Sequence, residues 1–241
     1  MEKGFNELFK VSKPIIGMLH MAGDYSQDKI MRAMGEMRIY QEEGVDGVII
    51  ENYHGDVKDV MDVTRYSKWY DIIRGVNILG KPFESFVIAH QYRLPFIQLD
   101  SVQTQGLALS SYNLFRDEHP NLVVLGGVGF KYTQPTGNPL EQDIREGMSR
   151  CEAIVTTGPA TGIETPISKL KQFKEIMGPS FSLISGAGVT AENLREQAQY
   201  ADGFIVGSYF KPNGNTQLKV DRTLVRKFMD VISDIRKDLV F

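Results

Sequence analysis

The chain has 241 residues, 42% hydrophobic and 24% charged, with a formal net charge of -3. That size suits one α/β barrel, which commonly runs to about 250 residues, and the scattered Lys and Arg give no broad field for nucleic acid or an anionic membrane. A lone cysteine, Cys151, excludes an intramolecular disulfide and a cysteine-rich metal site. No apolar run approaches the roughly 20 residues of a membrane span, so the expectation is a soluble, cytoplasmic protein.

Short apolar runs alternate with longer amphipathic ones from end to end. After a short N-terminal extension, residues 1–12, the run PIIGML reads as strand 1. Ile30, Met34, Met37 and Ile39 then recur on one helical face, and Gly44 can end that helix. GVII, GVNIL, FIQL and LVVLG follow as strands 2 to 5. Their near-continuous hydrophobicity is that of parallel strands covered on both faces. Asn138-Pro139-Leu140-Glu141 places a cap, a first-turn proline and a capping-box acid in sequence. Cys151 precedes AIVTT, strand 6, and so sits at the end where barrels keep stability; it reads as a buried or inert thiol. Thr165-Pro166 starts another helix, SLIS and GFIVG are strands 7 and 8, and Asp221 opens a last helix lined by Leu224, Phe228, Val231 and Ile235.

The junctions EEGVDGVIIEN, SRCEAIVTTG and QYADGFIVGS echo one another as a repeated β/α unit. Eight strands and eight helices at βαβ spacing predict a single (β/α)8 barrel domain; an open doubly wound sheet is the alternative.

In a barrel the C-terminal strand ends form one face, and that face carries the site. It gathers His20, Glu51, Asn52, Asn77, Asp100, Lys131, Thr157, Ser185 and Ser208 from distant parts of the chain. His20 reads as a general acid or base, a metal ligand, or a hydrogen-bonded scaffold residue. Glu51 and Asp100 can share a proton, hold a divalent cation with His20, or pair with Lys131. Lys131 fits a substrate anion, a Schiff base, or a plain ion pair. No cofactor is required by any motif, and a divalent metal is the one open option.

SGAGVTAENL after strand 7 and GSYFK after strand 8 occupy the two connections from which barrels most often build a phosphate site. Gly186, Gly188, Gly207 and Ser208 would supply N–H groups and a hydroxyl. TTGPATG after strand 6, with Gly158, Thr161 and Gly162, reads as a flexible, hydroxyl-rich loop over the ligand.

The blocks KPIIGMLHM, EEGVDGVIIEN, GVNIL, TTGPATG, SGAGVTAENL and ADGFIVGSYFK resemble, in this order, those of the BtpA family, which includes SgcQ-like proteins. The resemblance runs from about Lys13 to the last helix. It implies a barrel related to the ribulose-phosphate-binding barrels, and the matching positions include His20, Glu51, Asn52, Asn77, Lys131, Thr157, Gly158, Thr161, Gly162, Gly186, Gly188, Asn193, Gly207 and Lys211. Members are described as barrel enzymes, some as phosphoribosylanthranilate isomerase-like, while the founding member is associated with photosystem I biogenesis. Three blocks depart from the family pattern. Gly80-Lys81-Pro82-Phe83 replaces an Arg-Asn-Asp stretch, GGVGFKY replaces an Asp-rich strand ending in Lys-His, and the loop after His20 is shorter.

Two functions follow as expectations. The first is an enzyme on a phosphorylated small molecule, a sugar phosphate or phosphoribosyl compound, using isomerase, epimerase or lyase chemistry. In it His20, Glu51 and Asp100 shuttle protons and Lys131 or Asn77 stabilises negative charge. The second is a non-catalytic binding or assembly factor that keeps the phosphate pocket. Pairing of copies through outer helices, with the Met-rich first helix as one surface, is the expected assembly.

Overall fold

A computed structural model describes residues 4–103 and 107–239. Eight parallel strands close into a barrel in the order β1 to β8: β1 Ile15–Leu19, β2 Gly47–Glu51, β3 Ile73–Asn77, β4 Phe96–Leu99, β5 Val123–Gly127, β6 Ala153–Thr156, β7 Ser182–Ser185 and β8 Gly203–Val206. Helices alternate with them: α2 Ser26–Glu42, α3 Val57–Tyr66, α4 Pro82–Tyr92, α5 Leu109–Glu118, α6 Leu140–Met148, α7 Ile167–Met177, α8 Leu194–Gln197 and α9 Arg222–Asp238. The fold is a single (β/α)8 barrel, with β8 pairing back onto β1 through Gly17 and Val206. No helix among the described residues is long and apolar enough to cross a membrane.

The period of two along each strand sorts the core into two layers. Ile16, Met18, Ile49, Leu125, Val155, Ile184 and Ile205 fill the barrel interior, whereas Ile15, Val48, Ile50, Val124, Ile154 and Leu183 face the helices. The extension forms a short helix, α1 Phe5–Phe9, whose two phenylalanines join the interior layer and close the end of the barrel remote from the strand C-termini.

Several local expectations are corrected. Register against β2 pairs Glu51 with Asn77, so β3 covers residues 73 to 77 and Ile78-Leu79 leave it. The buried face of α2 carries Ala33, Glu36, Met37 and Tyr40, with Ile30, Met34 and Ile39 half-buried at its margins. A glutamate sits in that face because charges on the β8 connection meet it there. The seam of α9 is Val225, Phe228, Ile232 and Ile235, so Leu224 and Val231 flank it. Asp221 does cap α9, accepting from the Thr223 amide. At α6, Pro139 occupies the cap position and Asn138 instead donates to Asp143. At α7 the cap position is Pro166, and the Thr165 hydroxyl is bonded to Ala187 O. Cys151 is buried and donates to Gly147 O; burial pushes its thiol up to about 12.

Candidate active site

The register that pairs Glu51 with Asn77 places both side chains inside the C-terminal mouth, and Asp100, just beyond β4, joins them. Asn77 Nδ2 donates to Glu51 Oε2 at 2.8 Å and to Asp100 Oδ1 at 3.0 Å, so one amide bridges two carboxyl groups. Gln98, one interior layer below Asp100, adds a longer contact of 3.4 Å. Glu51 is 6% exposed. Burial, reinforced by the charge of Asp100 and opposed by Lys131 and Asn77, lifts it to about 8. Asp100 is also raised by burial, with Asn77 and Lys131 acting against the shift. At neutral pH Glu51 is therefore mostly protonated, an acid beside a potential base.

Lys131 follows β5 and points its ammonium toward the same cavity, over the Phe130 ring at 5.3 Å. Among the described residues it makes no ion pair within 4.0 Å, yet its charge reaches Glu51, Asp100 and His20. His20, after β1, is 4% exposed and its Nδ1 has no hydrogen-bond partner among the described residues. Burial first, and then the charge of Lys211, hold it well below the usual imidazole range, so it is neutral at physiological pH. Gln98 Oε1 is a second buried atom of the cavity wall left unbonded. His20, Glu51 and Asp100 do not form a metal-binding group, nor does any other set of three or more such residues among the described ones.

These groups open onto a cavity of about 560 Å3 whose other wall is made by the β7 and β8 connections. Gly188 adopts φ +63°, and a Cβ there would come within 2.2 Å of the Glu164 amide nitrogen. Only glycine fits both conditions. Gly207 packs on the His20 ring, where a Cβ would approach Cε1 to 2.8 Å. Ser208 to Phe210 then form a single 3-10 turn. Gly188, Ser208 and Tyr209 border the cavity, and their amides donate to no acceptor among the described residues. The Gly186 amide, in contrast, is bonded to Thr156 O.

The connection after β6 arches over this wall. The Thr165 amide donates to Ala187 O, the Tyr53 hydroxyl donates to Thr161 Oγ1 at 3.3 Å, and the Thr161 amide donates to the Tyr132 oxygen at 3.0 Å. Thr161, Gly162, Gly186, Gly188, Gly207 and Ser208 all border the cavity. Other expected binding residues turn elsewhere. Ser185 Oγ donates to Gln197 behind the barrel, Asn52 Oδ1 accepts from the Leu79 amide, and Thr157 Oγ1 accepts from the Lys131 amide while donating to Gly158 O. Gly158 has backbone oxygens of Ile163 and Glu164 where a side chain would stand. These four shape the loops rather than the cavity surface.

Sequence reasoning missed Gln98 and Tyr53 as parts of the site, and it named Lys211 only as a position matching the family. Gln98 was accessible by counting two residues back from Asp100 along an interior strand face. Tyr53 and His54 lie in the ENYHGD stretch leaving β2, and His54 Nε2 shares a hydrogen bond with Thr216. Lys211 ends the FIVGSYFK block, but its burial depends on contact with α2.

A model of the BtpA family matches residues 11–234. The chain belongs to the BtpA family. An uncharacterized protein of Pyrococcus abyssi is 29% identical over 93% of this chain and 98% of its own length. The photosystem I biogenesis protein BtpA of Synechocystis is 24% identical over 95% of this chain and 91% of its own. Among solved structures, thiamine phosphate pyrophosphorylase from Pyrococcus furiosus superposes with a TM-score of 0.64 at 11% identity, covering 92% of this chain and 96% of that one. Phosphoribosyl anthranilate isomerase from Thermus thermophilus gives 0.61 at 11%, covering 92% and 99%. 3-Hexulose-6-phosphate synthase from Salmonella typhimurium gives 0.63 at 16%, again covering 92% and 99%. At these identities the likeness establishes the barrel alone.

Proposed function

We propose that this BtpA-family barrel is an enzyme that moves protons next to a carbonyl group of a phosphorylated small molecule, a sugar phosphate or phosphoribosyl compound. The observation that carries the reading is the Glu51–Asn77–Asp100 bridge beside a cavity whose other wall includes Gly188, Ser208 and Tyr209, three residues with unbonded amides. The names of three structural neighbours, each of which includes a phosphate or phosphoribosyl compound, support the same ligand class.

The chemistry uses the difference between the two acids. Ionised Asp100 takes a proton from the carbon beside the carbonyl, and protonated Glu51 gives its proton to the carbonyl oxygen. The resulting enediol is the species common to isomerisation and epimerisation. For isomerisation, Asp100 gives its proton to the former carbonyl carbon while Glu51 takes a proton back from the enediol hydroxyl on the other carbon, which becomes the new carbonyl; epimerisation needs a second acid on the opposite face to reprotonate the original carbon. Lys131 stabilises negative charge on the oxygen during transfer. Asn77 is a positioning residue that holds the two carboxyl groups within reach of one substrate.

The test has two steps. Phosphorylated aldoses and ketoses are screened for those that raise the melting temperature, and each hit is incubated with the protein in D2O. Deuterium entering the carbon next to the carbonyl, with at least about a 100-fold slower rate in Asp100→Asn, is the expected result. Binding without exchange for every hit would overturn the catalytic reading and leave a binding protein.

A further inference from the structure

Lys211 ends the turn after β8, is only 1% exposed, and borders the cavity. Its ammonium lies 3.6 Å from Glu36 Oε1 and 3.3 Å from Thr216 O. Both contacts are long for a charged donor. Glu36 Oε1 is already engaged, accepting from Arg32 Nε at 3.0 Å and from the Val220 amide at 3.2 Å. The remaining nitrogens of Arg32 donate to the carbonyls of Gln217 and Leu218. Two cations thus share one carboxylate inside the wall, leaving one positive charge in excess. Lys211 is the member of that cluster that lines the cavity.

Among the described residues, nothing nearby cancels the excess. His20, the adjacent ring, is neutral and has an unbonded Nδ1, and His54 is engaged with Thr216. A buried cation without full compensation destabilises the fold until an anion reaches it. The Lys211 amide donates to Ser208 O, so the lysine and the unbonded Ser208 and Tyr209 amides belong to one turn.

We propose that Lys211 is the charged partner of the anion held by the β7 and β8 connections, so that amides fix the group's position while this lysine supplies the charge that selects phosphate. The inference rests on the phosphate reading above. It adds a residue, and a reason for the Arg32–Glu36 pair: Glu36 holds Lys211 in place without fully neutralising it.

Inorganic phosphate, titrated at constant ionic strength while melting temperature is followed, tests this in the full chain. The unsubstituted protein should gain stability, and Lys211→Met should bind phosphate roughly 10- to 100-fold more weakly. Without phosphate, Lys211→Met should melt higher than the unsubstituted protein, because the excess charge is gone. Glu36→Gln should melt lower and show a larger phosphate-induced rise. A Lys211→Met protein that melts lower without phosphate, or binds phosphate normally, overturns the proposal. If binding is lost in Gly188→Ala but kept in Lys211→Met, only the role of Lys211 fails. If the unsubstituted protein ignores phosphate, the underlying reading fails with it.

Discussion

Glu51 makes its own protonation a property of folding. Unfolded, a glutamate titrates near pH 4.3; folded, burial and Asp100 lift it to about 8. Between those values the native state binds a proton that the unfolded chain releases, so stability falls as pH rises and levels off above about 8. Glu51→Gln removes the ionisation while keeping a group that can accept from Asn77. Its unfolding free energy should match the parent near pH 4.5 and exceed it increasingly toward pH 8, by up to about 1.4 kcal/mol per pH unit. A constant difference across that range would show that Glu51 is not the raised group. Cys151 makes a second prediction: with its thiol up at about 12 and buried, it should resist alkylation at pH 8 until the chain unfolds. Both residues were legible in the sequence, because a polar residue closing an apolar run and a cysteine opening one have opposite meanings in a barrel. Lys211 was named only through the family resemblance, and its charged surroundings come from α2, far away along the chain.

At the scale of elements, the connection after β7 depends on one backbone position. Gly188→Ala forces a side chain into a left-handed conformation and against the Glu164 amide. The expected cost is about 1–3 kcal/mol, measured by urea unfolding, together with loss of phosphate-induced stabilisation. Loss of stability with phosphate binding intact would move the anion site off this loop. The strands were readable because each apolar run is short and bounded, so errors stayed at their ends, as at β3. The helix faces of α2 and α9 were read less well. Their apolar positions form wide stripes, and the choice of centre is made by partners: Lys211 and Arg32 draw Glu36 inward on α2. Loops were read correctly where glycine dictates geometry and incorrectly where a hydroxyl had a choice, as Ser185 and Thr157 show by turning to Gln197 and the Lys131 amide.

For the whole molecule, barrel closure brings eight strand ends to one mouth, and the opposite end needs its own seal. Phe96 of β4 provides part of it, and α1 provides the rest. Phe9 stacks edge-on against Phe96 with ring centroids 5.7 Å apart, and Phe5 packs beside it at 5.1 Å. Glycines opening β2 and β8 make room: a Cβ at Gly47 would meet the Phe9 ring at 2.8 Å, and one at Gly203 would meet Phe5 at 2.9 Å. The extension is therefore part of the interior core, a role that its short amphipathic sequence did not announce. Phe9→Ala empties a buried ring from a closed layer that cannot collapse without bending strands, so it should cost about 3–5 kcal/mol in urea unfolding. Because the strands stand between this layer and the mouth, phosphate affinity measured well below the melting temperature should change less than about threefold, under 1 kcal/mol. A large loss of affinity with little loss of stability would reverse that assignment. It would place α1 in the ligand's service rather than in the support of the barrel.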